Sequence, residues 1–387
     1  MKLQLLIISV FKFLVLTNQM EEEKQPLTTG GPDFDLDYFY SIHDPDATYG
    51  YDNGDAAPCS LSPPGFNSLG LTITYFVVFV FSVVGNSVVV CVVSFMKKGR
   101  ASTDIYLMHL AMADLLFSLT LPFWAINAYS GWIFGNFLCK LLSGFQEASV
   151  YGGVFLLACI SVDRFFAIVR ATRVMHSHHL LVKVVCSVVW LVAAVLSLPV
   201  AIQREQIYAP DQGRNMCYEN LTGESSNHWR VGIRVLRHTM GFFLPLMVMA
   251  VCYGWILVRL CHTRNQQKHR SICLILAVVL AFVLCWLPYN IAVLIGTLIE
   301  GETLKVKKTC ETNYKVEVVQ DVTQVLAFMH CAVNPLLYAF IGQKFRNQLL
   351  SALYKYGLIS KRFKLAYMKG SVNSAGSFRS RNTSATM

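Results

Sequence analysis

Apolar residues gather in long blocks along this chain, separated by short polar stretches. A helix needs about 20 apolar residues to cross ~30 Å of hydrocarbon. Seven blocks reach roughly that length: 71–96, 105–129, 141–162, 184–202, 238–258, 271–299 and 322–343. Pro122, Pro199, Pro245, Pro288 and Pro335 fall inside five of them. Proline would break a soluble helix, but in a membrane helix neighbouring helices and waters satisfy the freed carbonyls. The pattern predicts an all-α membrane protein, a seven-transmembrane helix bundle over 71–342. Beyond it, "FIGQKFRNQLLSALYKYG" sets Phe345, Leu349 and Leu350 at helical spacing among basic residues. That predicts a short amphipathic eighth helix over 343–356, lying on the membrane surface.

Composition agrees. The 387 residues are 54% hydrophobic and 14% charged, against about 25% charged in soluble domains, too few charges to cover a water-soluble globule. Seven crossings put the termini on opposite sides. With the N-terminus outside, the inner segments hold 17 Lys and Arg and the outer ones 11, which favours a cytoplasmic C-terminus. The expected location is the plasma membrane, multi-pass. Asn220-Leu221-Thr222 is a glycosylation acceptor on that topology. Of the 12 cysteines, Cys59, Cys139, Cys217 and Cys310 fall in outer segments. Four cysteines in an oxidising compartment suggest two disulfides, and three pairings are open. No Cys/His spacing resembles a metal site, and neither a cofactor nor a nucleic-acid partner is expected.

The ends differ from the bundle. Residues 1–20 read either as a signal peptide or as an upstream extension. Residues 21–70 read as a disordered, acidic, extracellular N-terminus. Within them, 21–58 carry ten acids against Lys24, and "DFDLDYFYS" sets Asp37, Tyr38 and Tyr40 side by side. An acidic tail with interleaved aromatics suits steering and holding a basic protein ligand. Residues 357–387 read as a disordered cytoplasmic tail. Its hydroxyls Ser374, Ser377, Ser380, Thr383, Ser384 and Thr386 suit phosphorylation.

Inside the apolar blocks, Asp114 stands out, because an ionisable group at that depth is costly unless paired or hydrated. With Asn86, Ser149 and Asn334 on other helices it can form a polar cavity able to hold a cation or waters; a structural clamp is the plainer alternative. "CISVDRFFAIVR" ends an apolar run in adjacent Asp163 and Arg164. "CWLPYN" sets Trp286 beside the Pro288 kink, and "HCAVNPLLYAF" combines Asn334, Pro335 and Tyr338. Bulky aromatics beside kinked helices make two-state elements. No nucleophile triad, phosphate cradle or carboxylate pair suggests an enzyme.

"GNSVVV", "LAMADLL", "ACISVDRFFAIV", Trp190, Pro245, "CWLPYN" and "NPLLY", in order and one per span, resemble the class A (rhodopsin-like) G-protein-coupled receptors. "TLPFWA", the acidic Tyr-bearing N-terminus, the four outer cysteines, "QKHR" and "AFIGQKFR" narrow this to chemokine receptors, most like CXC receptors of the interleukin-eight type. The resemblance implies disulfides Cys139–Cys217 and Cys59–Cys310. It implies ligand contacts at Asp37, Tyr38, Tyr40, Arg230, Arg234, Asp321 and Gln324, with Gln324 standing where relatives usually carry Glu. It assigns Asp163, Arg164, Tyr253, Asn334, Pro335 and Tyr338 to G-protein coupling, and Trp286 with Pro288 to activation. A sodium ion near Asp114, Asn86, Ser149 and Asn334 is the ligand the family suggests for the cavity. Ser149 replaces the Asn of many relatives, and Phe165 the usual Tyr.

The implied function is binding of a CXC chemokine and signalling to Gi-class G proteins in leukocyte chemotaxis, with receptor kinases, arrestin and membrane lipid as further partners. The alternative within the fold is a scavenging receptor that internalises ligand without G-protein signalling. Retention of Asp163 and Arg164 speaks against it. A transporter would show internal repeats and paired midplane charges, and neither is present.

Overall fold

The computed structural model describes residues 68–95, 101–169, 179–209, 213–219, 226–261, 266–300, 310–363 and 365. Among them, seven helical stretches are long and apolar enough to cross a membrane: Ser68–Phe95, Ser102–Ser130, Gly135–Ile168, Leu180–Gln203, Val231–Arg259, Ile272–Ile299 and Lys315–Phe340. The first span is helix α1 (Ser68–Phe95). The second is α2 (Ser102–Ser118) and α3 (Leu121–Ser130). The third and fourth are α4 (Gly135–Val169) and α5 (His179–Gln203). The fifth is α6 (Ser226–His238), a π turn and α7 (Leu244–Cys261). The sixth is α8 (Gln266–Glu300), and the seventh is α9 (Cys310–Phe328) with α10 (His330–Ile341). Helix α11 (Gln343–Lys355) follows at the expected place.

Proline explains several of the interruptions. Pro122 occupies the first turn of α3, where its missing N–H costs nothing. Just before it, the Thr120 hydroxyl donates to the Phe117 carbonyl at 2.7 Å, closing the break after α2. The fifth span widens into a π turn over Thr239–Phe243 immediately before Pro245, which lets the backbone pass a residue that cannot donate. The first and seventh spans meet at Gly85: a Cβ there would lie 2.7 Å from the Pro335 Cβ, so only glycine permits this approach.

The bundle is inverted relative to a soluble protein. Phe81, Leu191, Met247 and Leu284 are exposed along the spans, as suits surfaces that meet lipid. The polar residues Ser82, Asn86, Asp114, Ser118, Glu147 and Asn334 are buried inside. One continuous core runs through Leu110, Phe117, Ile160, Tyr253, Phe282, Trp286, Cys331 and Tyr338.

The sequence pattern does not foretell the cap. Strands β1 (Arg204–Ala209) and β2 (Arg214–Glu219) form an antiparallel hairpin between the fourth and fifth spans. Gly213 takes the left-handed turn conformation at φ 63°. Cys217 of β2 is bonded to Cys139 in the second turn of α4, Cα atoms 5.6 Å apart. Fully buried Trp132 pins the same corner: its backbone N–H donates to the Asn215 carbonyl at 2.7 Å and its indole to the Gly135 carbonyl at 2.8 Å. Trp124 and Phe134 close around it.

A sealed end, a polar core and a hairpin mouth

Asp163 and Arg164 lie near the end of α4 remote from the hairpin. Arg164 donates to the Asp163 Oδ2 from Nη2 at 2.7 Å and from Nε at 3.2 Å. Its Nη2 also donates to the Thr103 hydroxyl at the start of α2. The guanidinium is thereby folded back against the second span rather than turned outward. Buried Tyr253 approaches the same corner from the fifth span, near Ser161 and Arg164. In the seventh span, Tyr338 is buried and its ring faces Phe345 of α11 at 6.3 Å.

Midway up the bundle, Asp114 anchors a polar cluster. The Asn334 amide donates to Asp114 Oδ2 at 2.8 Å, and His330 Nε2 lies 3.6 Å from Oδ1. The other nitrogen of His330, Nδ1, is 2.7 Å from the Ala327 carbonyl and must donate to it. Nε2 therefore meets the carboxylate attractively only with a proton between them. Asn86 donates to the Cys331 carbonyl at 2.9 Å, tying the first span to the seventh. Ser82 and Ser118 hydrogen-bond each other, and Ser118 also reaches the Asp114 carbonyl. Trp286 stands over this cluster, its ring 5.3 Å from His330 and stacked on Phe282.

Towards the hairpin a small cavity of roughly 20 Å³, about the room one water needs, opens between the third, fifth and sixth spans, lined by Glu147, Tyr151, Arg237, His238, Trp286, Tyr289 and Asn290 among others. Glu147 is buried and paired with Arg237 at 2.8 Å. His238 Nδ1 faces the Asn290 carbonyl oxygen at 2.8 Å, while the Asn290 amide donates to the Trp286 carbonyl. Above the cavity Glu219 of β2 faces Arg204 at 3.6 Å and Arg234 at 3.9 Å. This is a mouth lined with paired charges at one end, an arginine clamped by its neighbours at the other, and packed aromatic rings between.

Residues 85–338 match the family profile described as 7 transmembrane receptor (rhodopsin family). The chain is 47% identical over 309 residues to the C-X-C chemokine receptor type 1 of Macaca mulatta, covering 80% of this chain and 87% of that one. It is 46% identical over 307 residues to the human C-X-C chemokine receptor type 2, covering 79% and 84%. The chain belongs to the chemokine receptors of the rhodopsin family. It is therefore a multi-pass membrane receptor of a non-enzymatic family.

The residues singled out in the sequence are distributed unevenly over this receptor fold. Asp163, Arg164 and Tyr253 converge, as do Asp114 and Asn334, with Asn86 one step removed through Ser82 and Ser118. Ser149 does not join them by a hydrogen bond. Its hydroxyl donates back to the Gln146 carbonyl at 2.6 Å, one turn away on its own helix. The one hydrogen bond that Ser149 makes is thus local to its own helix. Arg234 sits at the hairpin mouth, Asp321 is exposed and Gln324 is half-buried on the seventh span. Asp37, Tyr38, Tyr40, Cys59, Asn220, the tail hydroxyls, and the side chains of Arg230 and Cys310 lie outside the described residues.

Sequence reading missed Glu147, Arg237, His238, Asn290 and His330. Glu147 carries the same signal as Asp114, an acid inside an apolar block, and the rule that flags one flags the other. Arg237 falls one residue before the fifth apolar block, where a basic residue reads as an ordinary flank.

Proposed function

We propose that this receptor binds a CXC chemokine at the hairpin end and signals through a Gi-class G protein at the opposite end, in the service of leukocyte chemotaxis. On this reading the N-terminus and hairpin are extracellular, and the Arg164 end and C-terminus are cytoplasmic, as the Lys/Arg bias supports. The observation that carries the reading is the state of Arg164. It is held by Asp163 and Thr103 in an arrangement from which it can be released, which is what a coupling switch requires. The names of the relatives supply the ligand class: each is called a C-X-C chemokine receptor.

The acidic N-terminus would capture the basic surface of the ligand, and the hairpin mouth would receive its leading segment. Trp286 would relay movement towards Asp114 and the Asn334–Tyr338 stretch. Phosphorylation of the Ser/Thr-rich tail by receptor kinases would then recruit arrestin. The scavenging alternative has no observation in its favour.

The test is a panel of CXC chemokines applied to cells expressing the full chain, with calcium release read with and without pertussis toxin, which disables Gi. Calcium release by at least one chemokine, abolished by the toxin, is the expected result. Chemokine uptake without any toxin-sensitive signal would overturn it.

A further inference from the structure

Chemistry around Asp114 bears on the ion that the family suggests for this cavity. A hard cation is held by several oxygens converging on one point, a carboxylate with carbonyls, hydroxyls or waters. Here both carboxylate oxygens face nitrogen. Oδ2 accepts from the Asn334 amide at 2.8 Å, and Oδ1 faces His330 Nε2 at 3.6 Å. The neighbouring hydroxyls are turned elsewhere: Ser118 to the Asp114 main chain, Ser82 to Ser118, and Ser149 to Gln146. The imidazole is fixed in this pose by its Nδ1 bond to the Ala327 carbonyl and by Phe117 and Trp286 packed around its ring.

We propose that His330 closes the Asp114 site from within, so that both carboxylate oxygens are occupied by the protein and the site takes no sodium ion. The acid is answered by an amide and an imidazole, and the hydroxyl protons are spent on other partners. Among the described residues, Asn86 Oδ1 is the one buried oxygen of the cluster left without a partner, too few ligands for a hard cation. The residues present do not fit the ion. The receptor would then lack the sodium brake on activation, and the setting of the second and seventh spans would rest on the Asp114–Asn334–His330 contacts alone.

The experiment compares thermal melting of the purified full-length receptor in sodium, potassium and N-methylglucamine chloride at equal ionic strength. The wild type should melt at one temperature in all three. His330→Asn removes the imidazole and offers an amide oxygen, so this variant should melt higher in sodium than in potassium. Adding Asp114→Asn to it should erase the difference, which places the ion at this site. If His330→Asn does not accumulate as folded protein, His330→Gln gives the same reading. Two results overturn the proposal: a sodium-specific rise in the wild type that Asp114→Asn abolishes, or His330 variants that fold and stay indifferent to sodium. A sodium rise in the wild type that survives Asp114→Asn locates an ion elsewhere and leaves the closed Asp114 cluster standing.

Discussion

Single residues carry unusual weight where charge is buried. Glu147 and Arg237 meet at 2.8 Å inside the bundle, with Glu147 only 3% exposed. Removing one partner strands the other, a loss of about 3–5 kcal/mol in buried pairs, whereas replacing both by apolar residues is far milder. Glu147→Gln or Arg237→Gln should therefore lower the melting temperature of the purified receptor strongly, and Glu147→Leu with Arg237→Met should recover most of it. Single variants that melt like the wild type would show that the pair contributes nothing. At Gly85 the issue is space rather than charge. Because an added Cβ would fall 2.7 Å from Pro335, Gly85→Val should push the first and seventh spans apart, lowering both surface expression and melting temperature. Gly254, which has nothing near its missing Cβ, is the control, and Gly254→Ala should express normally.

Elements were readable from the sequence to the extent that hydrocarbon imposes a length on them. Each of the seven apolar blocks is helical over most of its described length, and α11 lies where Phe345, Leu349 and Leu350 place an amphipathic turn. The helices run past the blocks because polar residues such as those of Gln266–Arg270 continue the helix into water, where hydropathy carries no signal. The hairpin escaped for a related reason: its two six-residue strands sit in an aqueous connection and show no clean alternation of buried and exposed positions. What holds it is the Cys139–Cys217 bond across 78 residues, together with Trp132. Closing a loop of that length stabilises by roughly 2–4 kcal/mol. Cys217→Ser should therefore loosen the mouth and abolish chemokine binding in a radioligand assay, leaving residual receptor at the surface. Undiminished affinity would detach the hairpin from ligand recognition. The Asp114 cluster was only half readable, since Asp114 and Asn334 announce themselves but no spacing rule reveals which way Ser149 or His330 turns.

At the scale of the whole molecule the receptor is a charged mouth joined to a clamped arginine by a core of packed aromatic rings. The acidic N-terminus, with ten acids in 21–58, should make capture of a basic ligand electrostatic. Screening over a Debye length of about 8 Å at physiological ionic strength would weaken it. Chemokine affinity should fall as salt rises, and fall again with Tyr38→Phe and Tyr40→Phe together; a dissociation constant indifferent to both treatments would reduce the tail to a solubiliser. The central claim lies at the other end, that Arg164 is a switch held at rest by Asp163 and Thr103. Asp163→Asn and Arg164→Ala break the same ion pair, so a merely structural pair would respond to both alike, with expression and binding lost together. A switch responds in opposite directions, because one variant frees the arginine and the other deletes it. The deciding measurement is GTPγS exchange in membranes matched for receptor number and chemokine binding. Asp163→Asn should raise exchange without chemokine, and Arg164→Ala should leave chemokine bound but exchange silent. Wild-type exchange by Arg164→Ala would contradict the account.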